Sequence, residues 1–471
     1  MNALQKDLMK LTEAVERQAA PSDLWRLEVH LMPPTGWLND PNGLCYFRDE
    51  YHVFYQYSPF SVEGGIKFWG HYKSSDLLRW QQCPVMLYSD QAYDVHGAYS
   101  GSALCEKDGM YLYYTGNIKH GGDYNYILDG RENNTILAYS PDGIHLGWKR
   151  LLIGFRDYPA GLTRHVRDPK VWKQDGRYYM ALGGRTVQDA GAVLIFESEN
   201  KLQWKHINTI STPEPFGYMW ECPDLFEIDG QWFLSVSPQG VQEKGPGLEN
   251  VYACGYFPLS GDFRGEYSLG KFVPFDFGFD FYAPQTFSDG KRRLLIGWMG
   301  MPDAGYSNPT VTHGWQHCLT VPREVGNRLG RLVLNPIHEM QALRETKQEY
   351  FYSGKCTIDL PAVSDIEIIC DEELSLELSG ISLRTVDRYL MLTVQEGGYG
   401  RESRTVPVEK LRTLRILADT SALEFFMNDG ETVMSTRWYP EGNRRTLTLC
   451  GRGKVTVYGL HSISIEKYPL Q

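Results

Sequence analysis

The stretch Arg167-Asp168-Pro169-Lys170-Val171-Trp172, continuing through Gln174-Asp175-Gly176-Arg177 into Tyr178-Tyr179-Met180, sets an acid beside a proline, then two apolar runs around a tight turn. Asp-Gly between apolar runs signals a β-hairpin, because the primed turns that join twisted strands need positive φ. The unit recurs. Five turns read Arg48-Asp49-Glu50-Tyr51, Lys107-Asp108-Gly109-Met110, Gln174-Asp175-Gly176-Arg177, Ile228-Asp229-Gly230-Gln231 and Ser288-Asp289-Gly290-Lys291. Their acids at 49, 108, 175, 229 and 289 are spaced by 59, 67, 54 and 60 residues. Outer strands echo one another at Ser75-Asp76 leading to Trp80, Ser140-Pro141-Asp142 leading to Trp148, and Ser198-Glu199-Asn200 leading to Trp204. Repeats of this length, four strands each, suit the blades of a β-propeller. An irregular β-sandwich is the alternative, and it has no reason to repeat both turn and flanks.

The expectation is an all-β chain: a five-bladed β-propeller followed by a C-terminal β-sandwich, with a short N-terminal helix. At 471 residues two domains are expected. Residues 1–30 read as helix and lead-in, with Leu4, Leu8, Leu11 and Val15 at helical spacing on an amphipathic helix docked to the body and ended by Pro21. Residues 31–334 read as the propeller. Residues 335–347 read as a helical linker opened by an Asn335 cap with Pro336 at its first position. Residues 348–471 read as the sandwich, with strands at 365–369 and 374–378 and a hairpin at Asn428-Asp429-Gly430, serving packing rather than chemistry. A net charge of −11 argues against nucleic acid and anionic membranes as partners. No apolar run reaches the roughly 18 residues a bilayer needs. Nine scattered cysteines without an export signal suggest reduced thiols and a cytoplasmic location.

The acid-proline element occurs three times: Trp37-Leu38-Asn39-Asp40-Pro41-Asn42-Gly43, Arg167-Asp168-Pro169, and Trp220-Glu221-Cys222-Pro223-Asp224. One such segment would be a turn. Three at matching places in a radial repeat converge on one funnel, so Asp40, Asp168 and Glu221 are expected to share a pocket. Clustered carboxylates suit glycosidic bond cleavage, which needs one ionised and one protonated acid at the same pH. About 5–5.5 Å between them gives a retaining route, and ~6.5–9.5 Å an inverting one. A carboxylate metal site is the rival, but Ca²⁺ loops gather their ligands within about a dozen residues. These acids spread over some 180 without accompanying His, so neither metal nor cofactor is expected.

These residues resemble the signature motifs of glycoside hydrolase family 32, the invertases and β-fructofuranosidases. Gln56, Trp69-Gly70-His71, Tyr99-Ser100-Gly101-Ser102, Asp280-Phe281-Tyr282-Ala283-Pro284-Gln285, Gly297-Trp298-Met299 and Leu423–Glu431 extend the likeness over nearly the whole chain. It departs at Leu38, where Met is frequent, and at Tyr99, where Phe is usual. The resemblance implies a retaining mechanism: Asp40 attacks the anomeric carbon of a β-fructosyl unit, Glu221 acts as acid and base, and Asp168 holds fructose hydroxyls. Substrate contacts are expected from Asn39, Gln56, Trp69, Tyr99, Ser100, Arg167 and Trp298. Cys222 reads as a packed thiol. Arg167 and Asp168 can both serve one site only if the strand is irregular there, since neighbours on a strand face opposite ways. The expected substrates are sucrose, sucrose 6-phosphate or short β-fructans, and a phosphate would draw on Lys119, His120, Arg131, Arg164, His165 or Arg185. Fructosyl transfer shares the same intermediate, and a silent sugar-binding propeller is the non-enzymatic alternative.

Overall fold

A computed structural model of the chain describes residues 2–19, 23–442 and 444–469. Up to Pro336 its strands fall into five separate sheets. The first strands of these sheets are Gly36–Phe47, Ala98–Glu106, Leu162–Gln174, Met219–Ile228 and Tyr282–Ser288. Each packs beside the next, and the last returns to the first, closing a propeller-like ring with these strands innermost. Apolar layers fill the gaps between neighbouring sheets. Met110, Leu112 and Tyr114 of the second sheet meet Phe54 and Trp69 of the first, and Tyr113 and Leu137 meet Val171, Met180 and Leu194 of the third.

The turns explain the repeat. Arg48–Asp49, Asp175–Gly176 and Asp229–Gly230 are two-residue turns with both φ values positive, joining Phe47 to Glu50, Gln174 to Arg177 and Ile228 to Gln231 across the ladder. Asp and Gly tolerate this left-handed region, and the resulting twist matches that of the strands. Two turns differ. In the second sheet Glu106 pairs with Gly109, so the turn is Lys107–Asp108 and the glycine belongs to the strand. In the fifth, Ser288 pairs with Arg293 around a four-residue loop whose Asp289 accepts from the Lys291 and Arg292 amides. The outer connections repeat as a serine that accepts from the amide three residues on: Ser74 from Leu77, Ser140 from Gly143, Ser198 from Lys201. The first is therefore Ser74, not Ser75.

Strands from Arg344 onward form a ten-stranded, sandwich-like sheet with its own core around Ile366, Leu376, Leu392, Leu414, Phe425, Leu447 and Val457. The long strands Arg344–Leu360 and Arg445–Leu460 pair along their length, and the second also pairs with Ser364–Cys370 and Ser375–Leu378. The last described strand, Ser464–Lys467, returns to the ring and adds in parallel to Arg79–Leu87 at the edge of the first sheet. Two expectations need correction. The linker is one short 3₁₀ helix, His338–Leu343, with no side-chain cap. Asn335 and Pro336 instead end a strand, where Asn335 donates to the Asp429 carbonyl. The helix Ala3–Gln18 docks by a polar face: Gln5 and Thr12 are buried, and Glu16 accepts from Tyr57 and Gln82, while Leu4 and Leu11 stay exposed. The surface it meets offers hydroxyl and amide groups, which a leucine stripe cannot satisfy. Pro21 lies outside the described residues.

Candidate active site

Four inner strands carry the same irregularity at one end. Leu38–Pro41 lies opposite Tyr57–Tyr55, Arg167–Lys170 opposite Gly183–Ala181, Glu221–Asp224 opposite Ser237–Ser235, and Tyr282–Gln285 opposite Trp298–Ile296. Three steps on the inner strand thus span two on its neighbour, which is a β-bulge. Asp168, Cys222 and Ala283 take positive φ (66°, 47° and 47°), each immediately before a proline. Proline keeps its predecessor out of the right-handed helical region. The kink swings two consecutive side chains toward the axis, so Arg167 and Asp168 reach one site although they are sequence neighbours. A shift between Tyr99 and Gly101 does the same for Ser100.

The three acids are gathered by shared partners. Asp40 accepts from Asn39 Nδ2 at 2.9 Å and from Ser100 Oγ at 2.5 Å. Ser100 in turn accepts from Gln56 Nε2 at 2.9 Å, and Asn39 from the Trp37 indole at 2.8 Å. The Cys222 thiol lies 3.6 Å from Asp40 Oδ2 and 3.7 Å from Asp168 Oδ2, while its amide donates to Asp168 Oδ2 at 2.9 Å. Arg167 joins the third acid: its Nη2 is 2.6 Å from Glu221 Oε1 and its Nε 3.8 Å from Asp168 Oδ2. Glu221 Oε2 accepts from the Tyr282 hydroxyl at 2.7 Å and from Gln239 Nε2 at 2.8 Å.

The electrostatics follow from three carboxyls around one buried guanidinium. Burial pushes Asp168 up to about 7; Arg167 opposes this, and Glu221 and Asp40 add to it. Burial also raises Asp40, against the hydrogen bonds from Ser100 and Asn39. Cys222 is driven well up by burial and by the neighbouring acids, so it stays a thiol and can only donate to them. Lys67, held 4.9 Å over the Trp37 ring, is pushed down to about 7 by burial while Asp40 pulls it back.

The remaining expected residues divide. The Trp69 ring is fully buried and supports the site indirectly, donating to the Tyr99 carbonyl at 3.1 Å. Trp298 is buried too, edge-on to His317 and 6.0 Å from the Trp37 ring. His71 is structural, stacked on Phe54 and 3.0 Å from His52. Among the rim cations, His165 stands between Arg167 (2.8 Å) and Arg131 (3.3 Å), and burial with these charges and Arg185 pushes it down to about 2. His120 pairs with Glu132, and Arg164 donates to the Leu128 carbonyl. Tyr282 carries a signal, standing in one of the quoted stretches. Gln239 and Lys67 carry none.

Profiles of known families match most of the chain: the Glycosyl hydrolases family 32 N-terminal domain over residues 30–336, and the Glycosyl hydrolases family 32 C terminal over 384–467. A sucrose-6-phosphate hydrolase of Bacillus subtilis (strain 168) is 36% identical over 465 residues, covering 94% of this chain and 95% of its own. The solved sucrose-6-phosphate hydrolase of Lactobacillus gasseri superposes with a TM-score of 0.87 at 25% identity, covering 96% of each chain. A Bombyx mori GH32 beta-fructofuranosidase, in a mutant form in complex with sucrose, gives 0.86 at 27% identity, covering 98% of this chain and 100% of its own.

Proposed function

Because the chain belongs to glycoside hydrolase family 32 and is an invertase-type glycoside hydrolase, we propose that it cleaves the fructosyl bond of sucrose-type sugars by a retaining route. Asp40 attacks the anomeric carbon and forms a fructosyl ester. Glu221 protonates the departing oxygen and then takes a proton from the attacking water. Asp168, beside Arg167, holds fructose hydroxyls as positive charge develops on the ring. The observation that carries this is the meeting of Asp40 and Asp168 at the Cys222 thiol, with Glu221 tied in through Arg167. Asn39 holds Oδ1 and Ser100 holds Oδ2 of Asp40, which favours a single reactive geometry. The five sheets are then five blades over 31–334, preceded by the lead-in 1–30, linked through 335–347 to a sandwich over 348–471. Free cysteines throughout fit a reducing cytoplasm.

The leaving group departs on the Glu221 side, and Arg131 stands there beyond His165, which contacts the Arg167 that pairs with Glu221. Arg131 Nε is buried with no hydrogen-bond partner among the described residues. This supports sucrose 6-phosphate as the preferred substrate, its phosphate meeting Arg131 beyond His165. The decisive measurement combines rapid quench of sucrose turnover with mass spectrometry. A peptide containing Asp40 should gain one fructosyl unit, and Asp40→Asn and Glu221→Gln should abolish turnover while remaining folded. Turnover near wild type in either variant refutes the assignment. Arg131→Met should lower kcat/KM for sucrose 6-phosphate about tenfold or more and leave sucrose unchanged.

A further inference from the structure

Tyr282, which donates to Glu221, follows a segment fastened to the second domain. The segment before the fifth inner strand, Phe275–Asp280, is fastened to the sandwich strand Thr432–Arg437. The Phe277 amide donates to the Val433 carbonyl at 2.8 Å, the Ser435 amide to Asp276 Oδ1 at 2.8 Å, and the Asp280 amide to the Ser435 carbonyl at 3.1 Å. The approach is so close that a Cβ on Gly278 would stand 2.0 Å from the Ser435 carbonyl oxygen.

Asp280 is the last fastening. It is fully buried and takes a two-pronged grip from Arg401, Nε to Oδ2 at 2.7 Å and Nη2 to Oδ1 at 2.8 Å, with the Arg437 amide donating to Oδ2 at 2.7 Å. Arg401 is itself held by the Ser307 and Gly398 carbonyls and by Asn308, and its guanidinium lies 4.1 Å from the Tyr306 ring. This geometry is specific to arginine: lysine keeps the charge but not the fork. Phe281, between Asp280 and Tyr282, packs under the Arg323 guanidinium at 5.0 Å, and Arg323 is paired to Glu424 of the sandwich. Two residues after Asp280, the Tyr282 hydroxyl meets Glu221 Oε2 at 2.7 Å.

We infer that the sandwich positions the acid/base carboxyl of the propeller: Arg401 fixes Asp280, Asp280 fixes Tyr282, and Tyr282 orients Glu221. Arg401, Asp280 and Tyr282 are positioning residues, and the inference rests on reading Glu221 as the acid/base. A hydroxyl that donates to a carboxylate favours its ionised form, so losing the Tyr282 contact should displace the alkaline limb of the rate profile upward.

The test is the pH profile of kcat/KM on sucrose for Tyr282→Phe, Arg401→Lys, Asp280→Asn and the Tyr282→Phe/Arg401→Lys double variant, each confirmed folded by circular dichroism. Tyr282→Phe should move the alkaline limb up by about half a pH unit or more and lower kcat ~10-fold with KM little changed. Arg401→Lys and Asp280→Asn should move it the same way, by less. In the double variant Arg401→Lys should add no further displacement, as expected for two residues on one path. The inference is overturned if folded Arg401→Lys and Asp280→Asn lose only thermal stability and keep the wild-type limb. It is equally overturned if their displacement persists undiminished without the Tyr282 hydroxyl. Should Arg401→Lys not fold, Asp280→Asn alone decides between these outcomes. Activity retained in Glu221→Gln would instead sink the acid/base assignment itself.

Discussion

Two clusters of carboxylates in this molecule, one between ring and sandwich and one in the pocket, are balanced differently. Between ring and sandwich, Asp276, Asp280, Asp419 and Glu424 are packed with His30, Arg323, Arg401 and Arg437, all of them buried. In the pocket, Asp40, Asp168 and Glu221 have Arg167 as their one ion-pair partner among the described residues. Beside His30 and Arg323, two of the interface carboxyls are held below their ordinary range. Hydrogen bonds and charge from His30, with Arg323 the larger influence on Glu424, outweigh burial and lower both Asp419 and Glu424. His30, between Asp419 at 2.7 Å and Glu424 at 3.0 Å, is raised to about 9 against its own burial. Asp276 is the informative case inside the matched set. Its one ion-pair partner among the described residues is Arg323 Nη1 at 3.2 Å, a guanidinium shared with Glu424, and burial raises it. The interface sets its carboxyls against several cations, whereas the pocket gathers three carboxyls around the single guanidinium of Arg167.

The contrast can be broken from either side. Asp40→Asn should reduce kcat by at least ~10³-fold, more than 4 kcal/mol in barrier, without lowering the urea midpoint, because it removes a carboxyl from the overcrowded side. Arg323→Met should do the opposite. It strands Asp276 and Glu424 in the interior and should cost about 3–5 kcal/mol of stability by denaturant titration. His30→Gln tests the same interface through pH. Folding raises His30 from 6.5 to about 9, so its contribution is complete below pH 6.5 and is lost as pH climbs through 9. Wild-type stability should therefore fall over that window by up to about 3 kcal/mol, and the variant should lack this decline. Asp168→Asn should give the smallest change, a gain. Its carboxyl is favoured protonated by the fold, so wild-type stability is lost as pH rises from about 4 to 7. The variant should be more stable by about 2 kcal/mol at pH 8, with the gain gone near pH 4, and poorly active throughout.

The ring and the meeting of the acids were legible because both rest on local chemistry repeated along the chain: Asp-Gly turns, and an acid or its neighbour preceding a proline. The alignment was off by one residue. The motifs set Asp168 and Glu221 at matching places, whereas the bulges align Arg167 with Glu221 and Tyr282, and Asp168 with Cys222 and Ala283. That is why Arg167, Glu221 and Tyr282 touch. The proline after each kinked residue was the available clue. The interface was not legible, since Arg401 and Asp280 stand 121 residues apart with no pattern to join them. Nor was the face by which the first helix docks, where Gln5 and Thr12 are buried while Leu4 and Leu11 stay exposed.

The kink also bears on how such a scaffold acquires new chemistry. Ordinary strand pairing lets only alternate residues look inward, so each inner strand would offer one side chain at a given depth. A bulge there offers adjacent pairs, such as Arg167 with Asp168 or Glu221 with Cys222, and the ladder resumes its register outside it. The repertoire at the mouth can then be rewritten by point substitution at those doublets, leaving the walls that hold them untouched.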